Sequence, residues 1–302
     1  MENSSFIQSA KGSARLSVIR RGNHGLPVLF QHGLGGDAQQ VARIFPQDDR
    51  FDLMTIECPG HGASACPCPP TFSLESFYGH IEAFAAEHFP HGFVAGGISM
   101  GAALALALAI RNPSSVRGLV LVRPAWLLGR CPANLDPIRF VGDLLQRHPP
   151  KQAFDEFVAS NLAAEIRRSS PDNYGTLIDY LGNDQPKWLG KLLTDISADG
   201  IEFSVAQLLG INVQTLVVGV EADDLHPLAL AEQFHRSIPG SRLEKAPRKD
   251  DALAVPNYYA RTAELITGFL SEIAEQAPGG STDSVRASGK ETAGVARDEL
   301  ST

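Results

Sequence analysis

The chain has 302 residues, 43% of them apolar and 20% charged, and a formal net charge of −8. That composition is rich enough to bury a sizeable core and excludes a wholly disordered chain. The acidic balance argues against nucleic acid or an anionic membrane as the main partner. The longest apolar run, Ala102 to Ile110, falls well short of the ~20 residues that cross a bilayer. The N-terminal stretch has no apolar core of the kind a secretory signal carries, so the four cysteines (Cys58, Cys66, Cys68 and Cys131) read as free thiols of a cytoplasmic protein.

In chain order, Phe6 to Ala10 and Arg15 to Arg20 read as an antiparallel edge hairpin. Val28 to Gln31 is a short strand, Phe51 to Ile56 a second stopped by Pro59 and Gly60, and Phe93 to Ile98 a third. Met100 to Arg111, rich in alanine and leucine, is a buried helix closed by Asn112-Pro113. Val116 to Val122 and Val213 to Val218 are further strands. Leu228 to Ser237 is helical, Arg242 to Ala246 a last strand, and Tyr258 to Glu275 a closing amphipathic helix. Near-continuous apolar strands alternating with helices imply a parallel sheet covered on both faces, an α/β fold. One segment breaks the alternation. Between Pro124 and Gly210 only helical patterns recur, as in Phe154, Phe157, Val158, Leu162 and Ile166, and again in Leu189, Leu192, Leu193 and Ile196. An insertion there lies over the strand ends, where open α/β sheets bind ligands. Residues 277–302 are small, polar and charged and read as a disordered tail.

Three glycine-rich turns carry the chemistry. Gly97-Ile98-Ser99-Met100-Gly101 follows an apolar strand and opens a helix, the context of a nucleophile elbow. Such a turn exposes the serine hydroxyl at its tip, and its glycines let strand and helix crowd together. The Met100 amide at the helix start then faces a developing oxyanion. In Gln31-His32-Gly33-Leu34-Gly35-Gly36, Gly33 lets the turn aim the Leu34 amide at the same oxyanion; no Lys-Ser/Thr follows, so it is not a phosphate-binding Walker loop. The third turn is Pro59-Gly60-His61-Gly62-Ala63-Ser64.

Together these motifs resemble the α/β-hydrolase fold superfamily over about residues 14 to 275. His32-Gly33 resembles its oxyanion loop, Glu57 to Ser64 its D-x-P-G-H-G-x-S loop with Glu in place of Asp, and Gly97 to Gly101 its elbow. The resemblance implies a core at residues 1–123 and 211–276 with a helical cap at 124–210. It further implies hydrolysis of an ester, thioester or lactone of a small molecule, with no cofactor. Its triad acid follows the penultimate strand, usually as Asp with Pro four residues on; Asp223 with Pro227 fits, and Asp224 is the runner-up.

The resemblance also calls for a histidine after the last strand. That loop reads Ala246-Pro-Arg-Lys249-Asp250-Asp251, and no histidine follows His235. Without a base a serine hydroxyl is a poor nucleophile. Lys249 or Asp250 in the histidine's place is one repair. A lysine base must be lowered from its ordinary pKa by burial or nearby cations, at about 4 kcal/mol, and Asp223 and Asp224 act the other way. Asp250 and Asp223 sharing a proton is a variant of it. His226 reads first as a helix N-terminal or surface residue, and second as a base that swings over Ser99. With no repair, the chain is a non-catalytic, receptor-like ligand binder, or a lyase in which Ser99 is never acylated. An ionisable group within hydrogen-bond distance of Ser99 Oγ separates these readings.

Cys58, His61, Cys66 and Cys68 carry ligand-like chemistry in a short span, but the fold motif already accounts for His61, and no metal is expected. His32 reads as a structural donor, Glu57 as solvated, Trp126 as either pocket lining or packing, and Trp188 and Phe154 as core of the insertion. Arg139, Arg147, Arg167 and Arg168 read as a solvated face rather than a site for an anionic substrate.

Overall fold

A computed structural model of the chain describes residues 2–8, 15–45, 48–67, 70–249 and 254–276. One sheet of eight strands forms its centre: β1 (Glu2–Gln8), β2 (Arg15–Arg21), β3 (Leu26–Gln31), β4 (Phe51–Ile56), β5 (Phe93–Ile98), β6 (Val116–Val122), β7 (Thr215–Val220) and β8 (Arg242–Ala246). Their order is β1-β2-β4-β3-β5-β6-β7-β8; β1 pairs antiparallel with β2 and β2 with β4, while every pairing from β4 to β8 is parallel. The strands read from the sequence recur with small shifts. β7 begins at Thr215 because its ladder with β6 starts at Leu119 opposite Thr215, and Asn212 to Gln214 are still partly exposed.

Side chains alternate between the two faces, as the pleat requires. Val28 and Phe30 of β3 pack on one side with α1 (Ala38–Ile44) and α11 (Ala254–Gln276). Leu29 packs on the other with α2 (Leu74–His88), α3 (Met100–Arg111) and α10 (Leu228–Ser237). The sequence reading passed over α1 and α2. Both carry a start signal: Asp37 accepts from the amides of Gln39 and Gln40, and Ser73 from that of Ser76.

Between β6 and β7 the described residues form a 3-10 turn at Ala133–Leu135 and six helices: α4 (Asp136–Arg147), α5 (Pro150–Val158), α6 (Asn161–Ser169), α7 (Pro171–Tyr180), α8 (Leu189–Ala198) and α9 (Val205–Leu209). The apolar pattern read across 154–166 is two helices, not one. Ser160 caps α6 and breaks the phase, so Phe157 and Ile166 are buried while Phe154 and Val158 are 37% and 42% exposed. Phe154 is thus not core. Leu189, Leu192, Leu193 and Ile196 are all buried on α8. Among the described residues no helix is long and apolar enough to cross a membrane. The tail expected at 277–302 lies outside the described residues.

Candidate active site

The loops after β3, β5, β6 and β7 meet at the C-terminal edge of the sheet. Ser99 stands between β5 and α3 with φ 55° and ψ −112°, a conformation non-glycine residues rarely hold. Two things fix it there. Its amide donates to the Val122 carbonyl of β6 at 2.9 Å. The strand and helix also approach so closely that a Cβ on Gly97 would lie 2.2 Å from the Gly101 carbonyl carbon, and one on Gly101 would lie 2.2 Å from the Gln31 carbonyl oxygen. Among the described residues the non-glycine positive φ values belong to Ser99, Arg123, Ala222 and Cys131. The first three follow the ends of β5, β6 and β7, so backbone strain gathers at this edge.

His226 Nε2 lies 2.8 Å from Ser99 Oγ, and His226 Nδ1 lies 2.9 Å from Asp223 Oδ1. A carboxylate facing Nδ1 assigns the ring proton there, which leaves Nε2 to accept the serine proton. The turn that makes this possible is local. After Ala222 in its left-handed conformation, Asp223 Oδ1 also accepts the His226 amide at 3.1 Å, folding the pair back on one loop. The helical insertion clamps that loop. Asn173 Oδ1 accepts the Leu225 amide at 2.8 Å, Asn134 Nδ2 donates to the Leu225 carbonyl at 2.7 Å, and Ser169 Oγ donates to Asp224. His226 is therefore neither a surface residue nor a spare helix end; its side chain is 11% exposed. Asp224, the runner-up acid, faces the insertion.

Behind Asp223 runs a chain of charges that the sequence reading missed. Arg123 Nε donates to Asp223 Oδ2 at 2.6 Å and Arg123 Nη2 to Asp172 Oδ2 at 2.7 Å, while Lys249 Nζ meets Asp172 Oδ1 at 2.7 Å. Burial pushes the Asp223 carboxyl up, but the Arg123 charge, then that of His226, outweighs it and holds the group well below the usual carboxylate range. Asp172 is treated alike by burial against Arg123 and Lys249 and is also lowered. Lys249 thus stands in an ion pair with the insertion, and the described contacts do not bring it to Ser99. Asp250 lies outside the described residues. The only hint of this chain in sequence was an arginine directly after an apolar strand.

Among the described residues, no group is drawn to the amides of Leu34 and Met100 by a hydrogen bond, which leaves both donors open beside the serine. The turn bearing Leu34 is braced on both sides. Gly33 N donates to Gln40 Oε1 at 2.6 Å, and Tyr180 Oη donates to the Leu34 carbonyl at 2.7 Å. Gly33, Leu34, Ser99, Arg123, His226 and Lys249 all line one cavity. Trp126 does not line it. Its indole Nε1 donates to the Asp199 carbonyl at 3.1 Å, so it packs the insertion onto the sheet. Trp188 donates likewise to the Gly60 carbonyl at 3.0 Å.

The neighbouring histidines are structural. His32 Nε2 accepts the Cys58 amide at 3.0 Å while its Nδ1 faces the Gly33 carbonyl, joining the ends of β3 and β4. His61 packs against it with ring centroids 4.7 Å apart and the ring planes tilted by 47°. Glu57 is buried, not solvated; it accepts from the amides of Ala38 at 3.1 Å and Ala63 at 2.7 Å. Its longer side chain fits because position 62 is glycine: a Cβ there would lie 2.2 Å from Glu57 Cδ. Burial pushes the Cys58 thiol above its ordinary range, and among the described residues no three His, Cys, Asp or Glu side chains are grouped to hold a metal ion. Cys68 lies outside them.

Comparison with known proteins bears on the fold. A family model described as alpha/beta hydrolase fold matches residues 27–215. The chain is 28% identical over 236 residues to Lipase 3 of Moraxella sp., covering 72% of this chain and 69% of that protein. It is 32% identical over 111 residues to the dihydrolipoyllysine-residue acetyltransferase component of the acetoin cleaving system of Cupriavidus necator, where the match spans 36% of this chain and only 29% of that longer protein. Among solved structures, a thermophilic esterase from Thermogutta terrifontis, solved with malate bound, superposes with a TM-score of 0.67 over 90% of this chain and 99% of that one; at 22% identity the likeness is one of fold.

Proposed function

The chain belongs to the α/β-hydrolase fold family, and on that premise we propose that it hydrolyses an ester, thioester or lactone of a small molecule, with Ser99 as nucleophile, His226 as base and Asp223 as acid. The observation that carries the reading is the 2.8 Å separation of His226 Nε2 from Ser99 Oγ with Asp223 on the other ring nitrogen. It is the ionisable group at the serine that separates an acylating enzyme from a receptor-like binder or a non-acylating lyase. The lipase and esterase names of similar proteins support the same class.

Ser99 Oγ attacks the carbonyl carbon while His226 Nε2 takes its proton. The negative charge moves to the carbonyl oxygen, where the amides of Leu34 and Met100 donate to it. Collapse breaks the carbon–oxygen or carbon–sulfur bond, and His226 returns the proton to the leaving group. Water then attacks the acyl-serine, losing its proton to His226, and the acid and Ser99 are released. Asp223 keeps the imidazole in the needed tautomer and stabilises its cation; Arg123 and Asp172 position Asp223. The helical insertion acts as a cap over the reacting atoms. Reaction of the purified protein with a fluorophosphonate, followed by intact mass, tests the reading. One adduct per chain, absent in Ser99→Ala, is expected. An unlabelled wild-type protein after hours overturns it.

A further inference from the structure

Two compartments adjoin in this region, and they differ in size; Ser99 lines the smaller. The inner one, about 100 Å3, is walled on its apolar side by Leu34, Ile98, Ile138 and Leu225. Its two cations are already answered: Arg123 by Asp223 and Asp172, and Lys249 by Asp172. It therefore presents no free charge to an anionic chain. A cavity of about 150 Å3 takes a benzene ring, so one of this size takes about four non-hydrogen atoms. The outer compartment, about 680 Å3, is larger, with the polar side chains of Asp37, Gln39, Arg43, Asp179 and Gln185 among its lining residues. The two share Leu34, Gln40, Thr176, Tyr180, Lys249 and Tyr259, so a substrate seated at Ser99 in the inner one has a way into the outer one.

We propose that the substrate is an ester of a short acyl group, two to four carbons, with a polar, hydroxylated alcohol: the acyl half fills the inner compartment and the alcohol half the outer one. The proposal rests on the serine-hydrolase reading above. The direction of binding follows from the order of the steps. The alcohol leaves first, and water must reach the acyl-serine by the space it vacates, so the leaving half belongs in the larger, more open compartment. The acyl half stays in place until the second step and belongs in the closed one. A longer acyl chain meets buried side chains that must move, and overpacking of that kind is unfavourable.

The test varies each half separately. With the alcohol held constant, kcat/KM is measured for p-nitrophenyl acetate, butyrate and octanoate. A fall of about 100-fold from acetate to octanoate is expected, equivalent to about 2.7 kcal/mol in the barrier. With the acyl group held constant, glyceryl acetates are expected to exceed octyl acetate. Ile138→Ala, which touches none of the reacting groups, is expected to raise octanoate turnover relative to acetate by enlarging the inner wall. Octanoate turned over as well as acetate by the wild type, or octyl acetate preferred over glyceryl acetates, overturns the proposal. Hydrolysis of none of these esters by a protein whose Ser99 still takes the fluorophosphonate overturns the substrate class alone. The same result without labelling overturns the serine-hydrolase reading and the substrate class with it.

Discussion

Asp223 accepts from His226 on one carboxylate oxygen and from Arg123 on the other, at 2.9 and 2.6 Å. Its orientation is therefore set from two sides, and the second side is itself fixed by Asp172. The Arg123 side chain is 8% exposed and Asp223 2%, so removing the arginine leaves the Asp223 carboxylate buried beside His226 alone and Asp172 with Lys249 alone. Arg123→Met is expected to lower folding stability by about 3–5 kcal/mol, the range for breaking a buried ion pair. Asp172→Asn is expected to cost less in that variant than in the wild type, because its Arg123 partner is already gone. Urea unfolding of the two single variants and the double variant checks this; additive losses contradict a coupled network. None of this was legible in sequence, because Arg123 and Asp172 stand 49 residues apart with nothing in the intervening pattern to pair them. Glu57 reads as solvated in sequence for a similar reason: only the fold shows that glycine at position 62 makes room for it in the interior.

At the scale of elements, the proposed function puts on the loop after β7 both groups that the resemblance divides between two loops. The resemblance placed the acid after β7 and the base after β8, which directed attention to Lys249 and Asp250. Asp223 and His226 instead lie on one turn three residues apart. In sequence that spacing looks like an acid and a histidine opening α10, and no periodicity distinguishes the two. The deciding features are the left-handed Ala222 and the clamp from the insertion, both products of tertiary structure. The elbow itself was legible, since strand, Gly-x-Ser-x-Gly and helix are contiguous. The clamp can be tested. Asn173→Leu removes the side chain that accepts the Leu225 amide and leaves that amide unpaired in a buried loop. It is expected to lower kcat for a p-nitrophenyl ester about tenfold or more, with KM changed much less, since the base is displaced while the cavity walls remain. An unchanged kcat means that the insertion does not position the base.

For the whole molecule, eight strands and the helices on either face were largely readable, because apolar strands buried on both sides declare themselves. The same burial makes stability depend on pH. His32 and His61 are fully enclosed, and burial holds both below the ordinary histidine range; His61 is lowered further by the charge that His32 would carry. A depressed histidine gives full stability above its unfolded value, about 6.5, and loses it as pH falls below that value, because the unfolded chain takes up protons the folded one refuses. The melting temperature is therefore expected to fall from pH 7.5 to 5.5, and that of His61→Phe, which keeps an aromatic ring against His32 but cannot titrate, is expected to fall less. An equal drop in the variant removes His61 from the explanation.

The measurement that bears most directly on the site is the second-order rate of Ser99 labelling by a fluorophosphonate in wild type, His226→Ala and Lys249→Ala at pH 7.5. If His226 is the base, His226→Ala labels at least about 1,000-fold more slowly, as expected when a nucleophile loses its proton acceptor, whereas Lys249→Ala stays within about tenfold of wild type. A rate that survives in His226→Ala and collapses in Lys249→Ala would contradict this and return the base to the loop after the last strand.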